Sequence, residues 1–216
     1  MIEIFTGEIF EAHITRRKLL ELAVATCTGL AFAGCLGYVP SAPENVSQVK
    51  AGGALKLVDP KIKSDVSLEE SLVKRRSIRT YSGRELTIEE VSQLLWSAQG
   101  ITSPWGGRTA PSAGALYPLE LYLVSGNTKG LDKGVYRYKS DTHELVKVLD
   151  GDVREALGDA AVGQSSVKEA AVDIVFSAVY SRTTSKYGER GFRYVHMEAG
   201  HAAQNVYLQA VSLNLG

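Results

Sequence analysis

The chain has 216 residues, 44% of them hydrophobic, and its 24 basic and 24 acidic side chains leave a formal charge of zero. That length supports one sizeable core, and the neutral balance argues against nucleic acid and against a broad basic face for membranes. The two cysteines, Cys27 and Cys35, lie near the N-terminus, so the rest of the chain holds neither a disulfide nor a thiolate nucleophile.

The N-terminal segment reads as an export signal. Arg16 and Arg17 precede Leu19 and Leu20, and an apolar run from Leu22 to Leu36 follows that is short for a membrane span. The paired arginines resemble a twin-arginine signal, which carries folded proteins across a membrane. Phe32-Ala33-Gly34-Cys35 resembles a lipobox with Cys35 as the lipidated residue, while Ala31-Phe32-Ala33 also reads as an ordinary cleavage site. The expectation is an exported protein, with a lipid anchor at Cys35 as one outcome. The alternative is a cytoplasmic protein with a buried N-terminal helix; the acidic lead of Glu3, Glu8 and Glu11, where a signal is normally basic, points to a true start farther downstream.

Residues 1–36 are therefore assigned to the signal, 37–63 to a Pro, Ser and Gly-rich tether, and 64–216 to one folded domain. Ser67-Leu68-Glu69-Glu70 predicts a capped helix to about Lys74. Thr87-Ile88-Glu89-Glu90 predicts a second, carrying Val91, Leu94, Leu95 and Ala98 on one face and stopping at Gly100. A strand is expected over Leu119–Val124, and a hairpin from Val135–Tyr138 and Leu145–Val148. Asp152 should cap a helix to about Gly158. The apolar run Ala171 to Tyr180 reads as a strand buried on both faces and central in the sheet. From about Glu189 to Leu213 a long helix is predicted with Val195, Ala199, Ala202, Ala203, Val206, Ala210 and Leu213 in one stripe. Met197, Tyr207, Leu208 and Val211 make its other side apolar, so it is expected to be buried, either in a core or between subunits.

Two stretches carry chemistry. Arg75-Arg76-Ser77-Ile78-Arg79 offers guanidiniums and a hydroxyl suited to a phosphate, or else a basic helix end that neutralises the last carbonyls. Pro111-Ser112-Ala113-Gly114 is a small-residue turn against which a flat ring could lie, or a plain loop. His196, Glu198 and His201 do not have the i, i+4 spacing of a helical metal pair, so no metal is assigned. No phosphate-binding loop, dinucleotide fingerprint or serine elbow occurs.

These stretches, with Leu95 to Thr102, Arg108 to Glu120 and Glu198-Ala199-Gly200-His201-Ala202-Ala203-Gln204-Asn205, resemble nitroreductase-fold flavoenzymes, above all the SagB-type dehydrogenases that oxidise azolines on peptides. The resemblance runs from about Ser64 to Gly216. It implies an α+β fold with a central mixed or antiparallel sheet flanked by helices, and FMN at a homodimer interface beside the long helix. It places Arg75, Arg76, Ser77 and Arg79 on the phosphate and ribityl chain, and Pro111, Ser112, Ala113 and Gly114 against the ring. Lys186 and Tyr187 match a lysine–tyrosine pair that serves as catalytic base. Glu198 to Asn205 fall on the interface helix, where capping and hydrogen bonding are the implied roles. A small molecule or a peptide heterocycle is the implied substrate, with NAD(P)H a possible donor. Family members continue beyond the long helix, so the domain is expected to be incomplete at Gly216. The alternative to an enzyme is a truncated, tethered domain that binds flavin weakly or not at all.

Overall fold

The computed structural model describes residues 2–4 and 53–216. The twin arginines, Cys35, the rest of the expected signal apart from Ile2–Ile4, and most of the expected tether lie outside these residues. Three-residue strands β1 (Ile2–Ile4) and β2 (Ala54–Lys56) precede helix α1 (Leu68–Lys74) and helix α2 (Ile88–Gln99). A short 3-10 turn at Ala113–Ala115 leads into β3 (Leu119–Ser125), followed by the hairpin of β4 (Gly134–Lys139) and β5 (Glu144–Asp150). Helices α3 (Arg154–Ala160) and α4 (Ser165–Glu169), strand β6 (Val172–Ala178), α5 (Ser181–Tyr187) and the long α6 (Arg190–Ser212) complete the order.

The sheet runs β1-β6-β3-β4-β5-β2, antiparallel except for the parallel pair β1 and β6. The mixed sheet of the expected α+β fold is therefore present, but β3 and β4 are its centre, with β6 next toward the β1 edge. Composition misplaced β6 because an apolar run reports coverage of both faces, not position within the sheet. One face packs α2 and α6 against Leu121, Leu123, Tyr136, Tyr138, Ile174 and Phe176, and a smaller cluster of Val124, Val135, Leu157, Ala161 and Val167 lies under α3 and α4. Burying each of the larger apolar side chains contributes about 1.5–3 kcal/mol.

Both predicted helix starts are real. At α2 the Thr87 hydroxyl accepts from the Glu90 amide while Glu90 accepts from the Thr87 amide, a complete capping box. At α1 only half forms: Ser67 accepts from the Glu70 amide, but the Glu70 carboxylate pairs with Lys74. Gly100 ends α2 for a steric reason, since a β-carbon there would run into the Trp96 ring. Asp152 accepts from the Arg154 amide and pairs with its guanidinium, although Val153 is the capping position.

The folded unit reaches back beyond Ser64. β2 pairs with β5, and Leu57 is in the core with its amide bonded to the His143 carbonyl. Ser92 Oγ donates to the Val58 carbonyl, and the His143 ring lies within hydrogen-bond distance of Ser92, Val58 and Tyr138. Composition could not reveal these bonds, because their partners lie far away in sequence.

α6 shows the predicted stripe, with Val195, Ala199, Ala202, Ala203 and Val206 buried and Ala210 and Leu213 half-buried. On its other side Tyr207, Leu208 and Val211 are half-buried, while Met197 is 52% exposed and Gly200, His201 and Gln204 are open, so among the described residues the core does not cover that face.

Candidate functional site

The turn from Ser112 to Tyr117 connects the loop after α2 to β3. Its backbone is unusual: Gly114 has φ 65°, and two side-chain-bearing residues, Ala115 at 55° and Tyr117 at 45°, are also left-handed. Each non-glycine residue in this region costs on the order of 1 kcal/mol, so the surroundings must hold it there. The Ser112 carbonyl accepts from the Ala115 amide and the Ser112 hydroxyl accepts from the Tyr117 amide at 2.9 Å. The same hydroxyl donates to Glu198 Oε2 at 2.5 Å, tying the turn to α6. Arg182 of α5 donates to the Tyr117 carbonyl and to Glu120, fixing the far side.

Glu198 is 2% exposed. Burial pushes its carboxyl up to about 7, against the opposing pull of the Ser112 hydroxyl, the Arg108 charge and the nearby Gln99 amide. Arg108 donates to Gln99 Oε1 at 2.9 Å and lies 4.4 Å over the Tyr117 ring, and burial lowers its own basicity. Glu198 Oε1, Gln99 Nε2 and Arg108 Nε have no hydrogen-bond partner among the described residues. Gln99 thus biases the Glu198 carboxyl toward charge by proximity, without a hydrogen bond of ordinary geometry.

Lys186 and Tyr187, at the end of α5, meet this turn. A β-carbon on Gly114 would lie 2.8 Å from Tyr187 Oη and 3.0 Å from Lys186 Nζ, so a side chain there would push both ends aside, and at φ 65° it would be strained as well. Lys186 Nζ is 5.5 Å from the Tyr187 ring centre, and Tyr194 of α6 packs edge-on against that ring at 5.1 Å. Lys186 itself is exposed. The predicted ring platform and the predicted base are therefore neighbours.

The arginine segment is elsewhere. Arg75 caps α1, half-buried, and does not reach the nearby cavity; Arg76, Ser77 and Arg79 do, lining a space of about 530 Å³ with Leu86, Ile174 and Ala210. One Arg76 nitrogen donates to the carbonyls of Val73 and Arg75, so this arginine also plays the helix-end part considered from the sequence. Arg79 is exposed and makes no hydrogen bond or ion pair among the described residues. Ile78 lies against Gly216, placing the segment at the C-terminal end of α6. From Glu198 to Ser212 that helix is about 21 Å long at 1.5 Å per residue. One copy of the chain therefore does not bring the arginines and the Pro111–Gly114 turn into one pocket.

Sequence reasoning missed the parts played by Arg108, Gln99 and Arg182, and gave Glu198 a place on the long helix without finding its partner. His196 makes a hydrogen bond with Tyr180, and among the described residues no three His, Cys, Asp or Glu side chains group as metal ligands. The available signal for Glu198 was its helical phase: it falls on the buried Val195–Ala199–Ala202 face, where a carboxylate needs a partner.

Comparisons with known proteins agree with this architecture. A model of the Nitroreductase family matches residues 72–216. MJ1384 of Methanocaldococcus jannaschii, a protein named for the nitroreductases, is 46% identical over 165 residues, covering 76% of this chain and 83% of that protein. The microcin B17-processing protein McbC of Escherichia coli is 30% identical over 147 residues, 61% of this chain, which thereby spans half of McbC (50%). The crystal structure of a nitroreductase-named protein from Ralstonia eutropha JMP134 superposes with a TM-score of 0.64 at 27% identity, over 85% of this chain and 81% of the other. The chain belongs to the Nitroreductase family of oxidoreductases.

Proposed function

We propose that the chain is an FMN-dependent oxidoreductase, working as a homodimer, that moves hydride between a reductant and an organic acceptor. The observation that carries this reading is the bare Gly114 backbone beneath Lys186 Nζ and Tyr187 Oη. A flat ring needs such a platform, since a side chain at Gly114 would fill the space.

The residues fit FMN in two halves. Arg76, Ser77 and Arg79, the last without a partner among the described residues, suit the phosphate, because guanidinium and hydroxyl donors match its oxygens. Pro111, Ser112, Ala113 and Gly114 suit the ring. The two halves sit toward opposite ends of α6, and the cavity that Arg76, Ser77 and Arg79 line does not include the Pro111–Gly114 turn, which supports a site completed by a second copy. Leu68, Leu72 and Val73 of α1 and Met197 of α6 are exposed apolar side chains suited to such an interface. Bound there, FMN would supply two-electron chemistry by accepting or giving up a hydride.

The chain's own contribution is position and proton handling. Arg79 would hold the anionic end, and the Ser112–Tyr117 turn would present backbone amides to the ring. Lys186 or Tyr187 would take a proton from the carbon next to the one oxidised, a role that requires loss of surrounding water when substrate or the second copy covers them. That pair, with the McbC likeness, favours a second reading within the same class: dehydrogenation of an azoline-like heterocycle in a small molecule or peptide. Export, inferred from Arg16, Arg17 and the apolar run after them, favours a donor other than free NAD(P)H.

The test is spectral. The purified chain supplied with FMN should turn yellow, with bound flavin reducible by dithionite, and Arg79→Ala should lose it. Lys186→Ala should keep the flavin and lose turnover. A chain that stays colourless refutes the reading, and full turnover in Lys186→Ala removes the proposed base.

A further inference from the structure

We propose that Glu198 is a positioning residue for the flavin-facing turn: through the Ser112 hydroxyl it locks the left-handed Gly114–Tyr117 backbone into the shape that seats the ring. This rests on the FMN reading above, but the lock itself is a property of the chain alone.

The direction of the hydrogen bonds makes the lock. Ser112 has one hydroxyl proton, and it goes to Glu198 Oε2 at 2.5 Å. Its lone pairs are then aimed at the Tyr117 amide, which donates to them at 2.9 Å. Glu198 thereby fixes the Ser112 rotor, and the rotor fixes the amide of a residue at φ 45°. A serine without that acceptor could rotate its hydroxyl away, and nothing else among its hydrogen bonds would hold the Tyr117 amide. The second carboxyl oxygen, Oε1, has no hydrogen-bond partner, so the grip on Ser112 is the one hydrogen bond Glu198 makes among the described residues. The other side of Tyr117 is closed by Arg108 on its ring and Arg182 on its carbonyl.

Of the groups facing Glu198 from other elements, Arg108 from the loop after α2 carries charge, Gln99 of α2 is neutral, and Tyr117 lies behind Arg108. A carboxyl oxygen accepts this bond whether the group is charged or neutral, and burial makes its loss costly. A purely space-filling residue at this point in α6 would not need a carboxyl, since its neighbours Val195, Ala199 and Ala202 are apolar.

The test is a double-mutant cycle on the full chain, reading two quantities: hydrogen exchange of the Tyr117 amide without FMN, and the FMN dissociation constant. Ser112→Ala and Glu198→Ala should each speed Tyr117 exchange about tenfold or more and weaken FMN binding about tenfold, as loss of one buried hydrogen bond predicts. The double variant should be no worse than either single one, and Glu198→Gln should restore most of both. Additive effects, or unchanged Tyr117 exchange in Glu198→Ala, overturn the proposal. If the wild-type chain binds no FMN, the flavin reading falls, and the Tyr117 exchange cycle still decides whether the lock exists.

Discussion

At the scale of single residues, Glu198 carries a conflict between stability and position. Burial raises its carboxyl to about 7 in the folded chain, against an ordinary value of 4.5. The folded state therefore holds the proton more tightly than the unfolded one, and the stability this gives is complete below about pH 4.5 and is lost as pH rises toward 7. Above 7 the buried carboxylate costs on the order of 3 kcal/mol, because every tenfold gain in proton affinity on folding is worth about 1.4 kcal/mol. Glu198→Gln should accordingly raise the melting temperature at pH 8 and leave it nearly unchanged at pH 5. An equal change at both pH values would show that desolvation of this carboxyl is not the cause. Glu120 is the contrasting case: burial pushes it up, but the combined hydrogen bonds and charges of Arg137 and Arg182 hold it below the usual carboxylate range. One partly buried glutamate has two guanidiniums and is settled; the other has a single hydroxyl and remains costly.

At the scale of elements, the start of α2 is where local sequence dictates structure most directly. The Thr87–Glu90 box satisfies two orphan amides, and its carboxylate is further paired with Arg84. Thr87→Ala should destabilise the fold by about 1 kcal/mol in denaturant titration. No loss would mean that the packing of Val91, Leu94 and Leu95 alone fixes where the helix begins. The contrast with β6 shows what was legible and why. Helix starts, the β4–β5 hairpin and the α6 stripe were readable because their causes lie within a few residues. The three-residue β2, the five-residue α4 and the seven-residue α5 were missed, since elements this short show their period no more than about twice and form by pairing or docking on partners distant in the chain. The site divides the same way. The Pro111–Gly114 turn and the Lys186–Tyr187 pair could be named from residue types, but their apposition, and the bond from Ser112 to Glu198, depend on how α5 and α6 return to the turn. Which side of α6 the sheet would cover could not be read from its apolar side chains, because they line both sides.

At the scale of the whole molecule, the proposed phosphate grip lies toward one end of α6 and the proposed ring platform and base toward the other. On that proposal neither half would suffice for FMN, and a two-fold arrangement of two chains would bring opposite halves together. The same arrangement would cover the exposed Met197 face and the apolar side chains of α1, and would strip water from Lys186 where a base needs it. The direct measurement is subunit complementation. Arg79→Ala and Gly114→Leu chains, each deficient in FMN binding alone, are mixed, allowed to exchange subunits and assayed for bound flavin. In a mixed dimer one site would join an intact arginine segment to an intact turn while the other holds both lesions. About one quarter of the wild-type FMN capacity should therefore return when half of the dimers are mixed. No recovery in a mixture shown to exchange subunits would contradict the account, because it would mean that each chain builds its flavin site by itself.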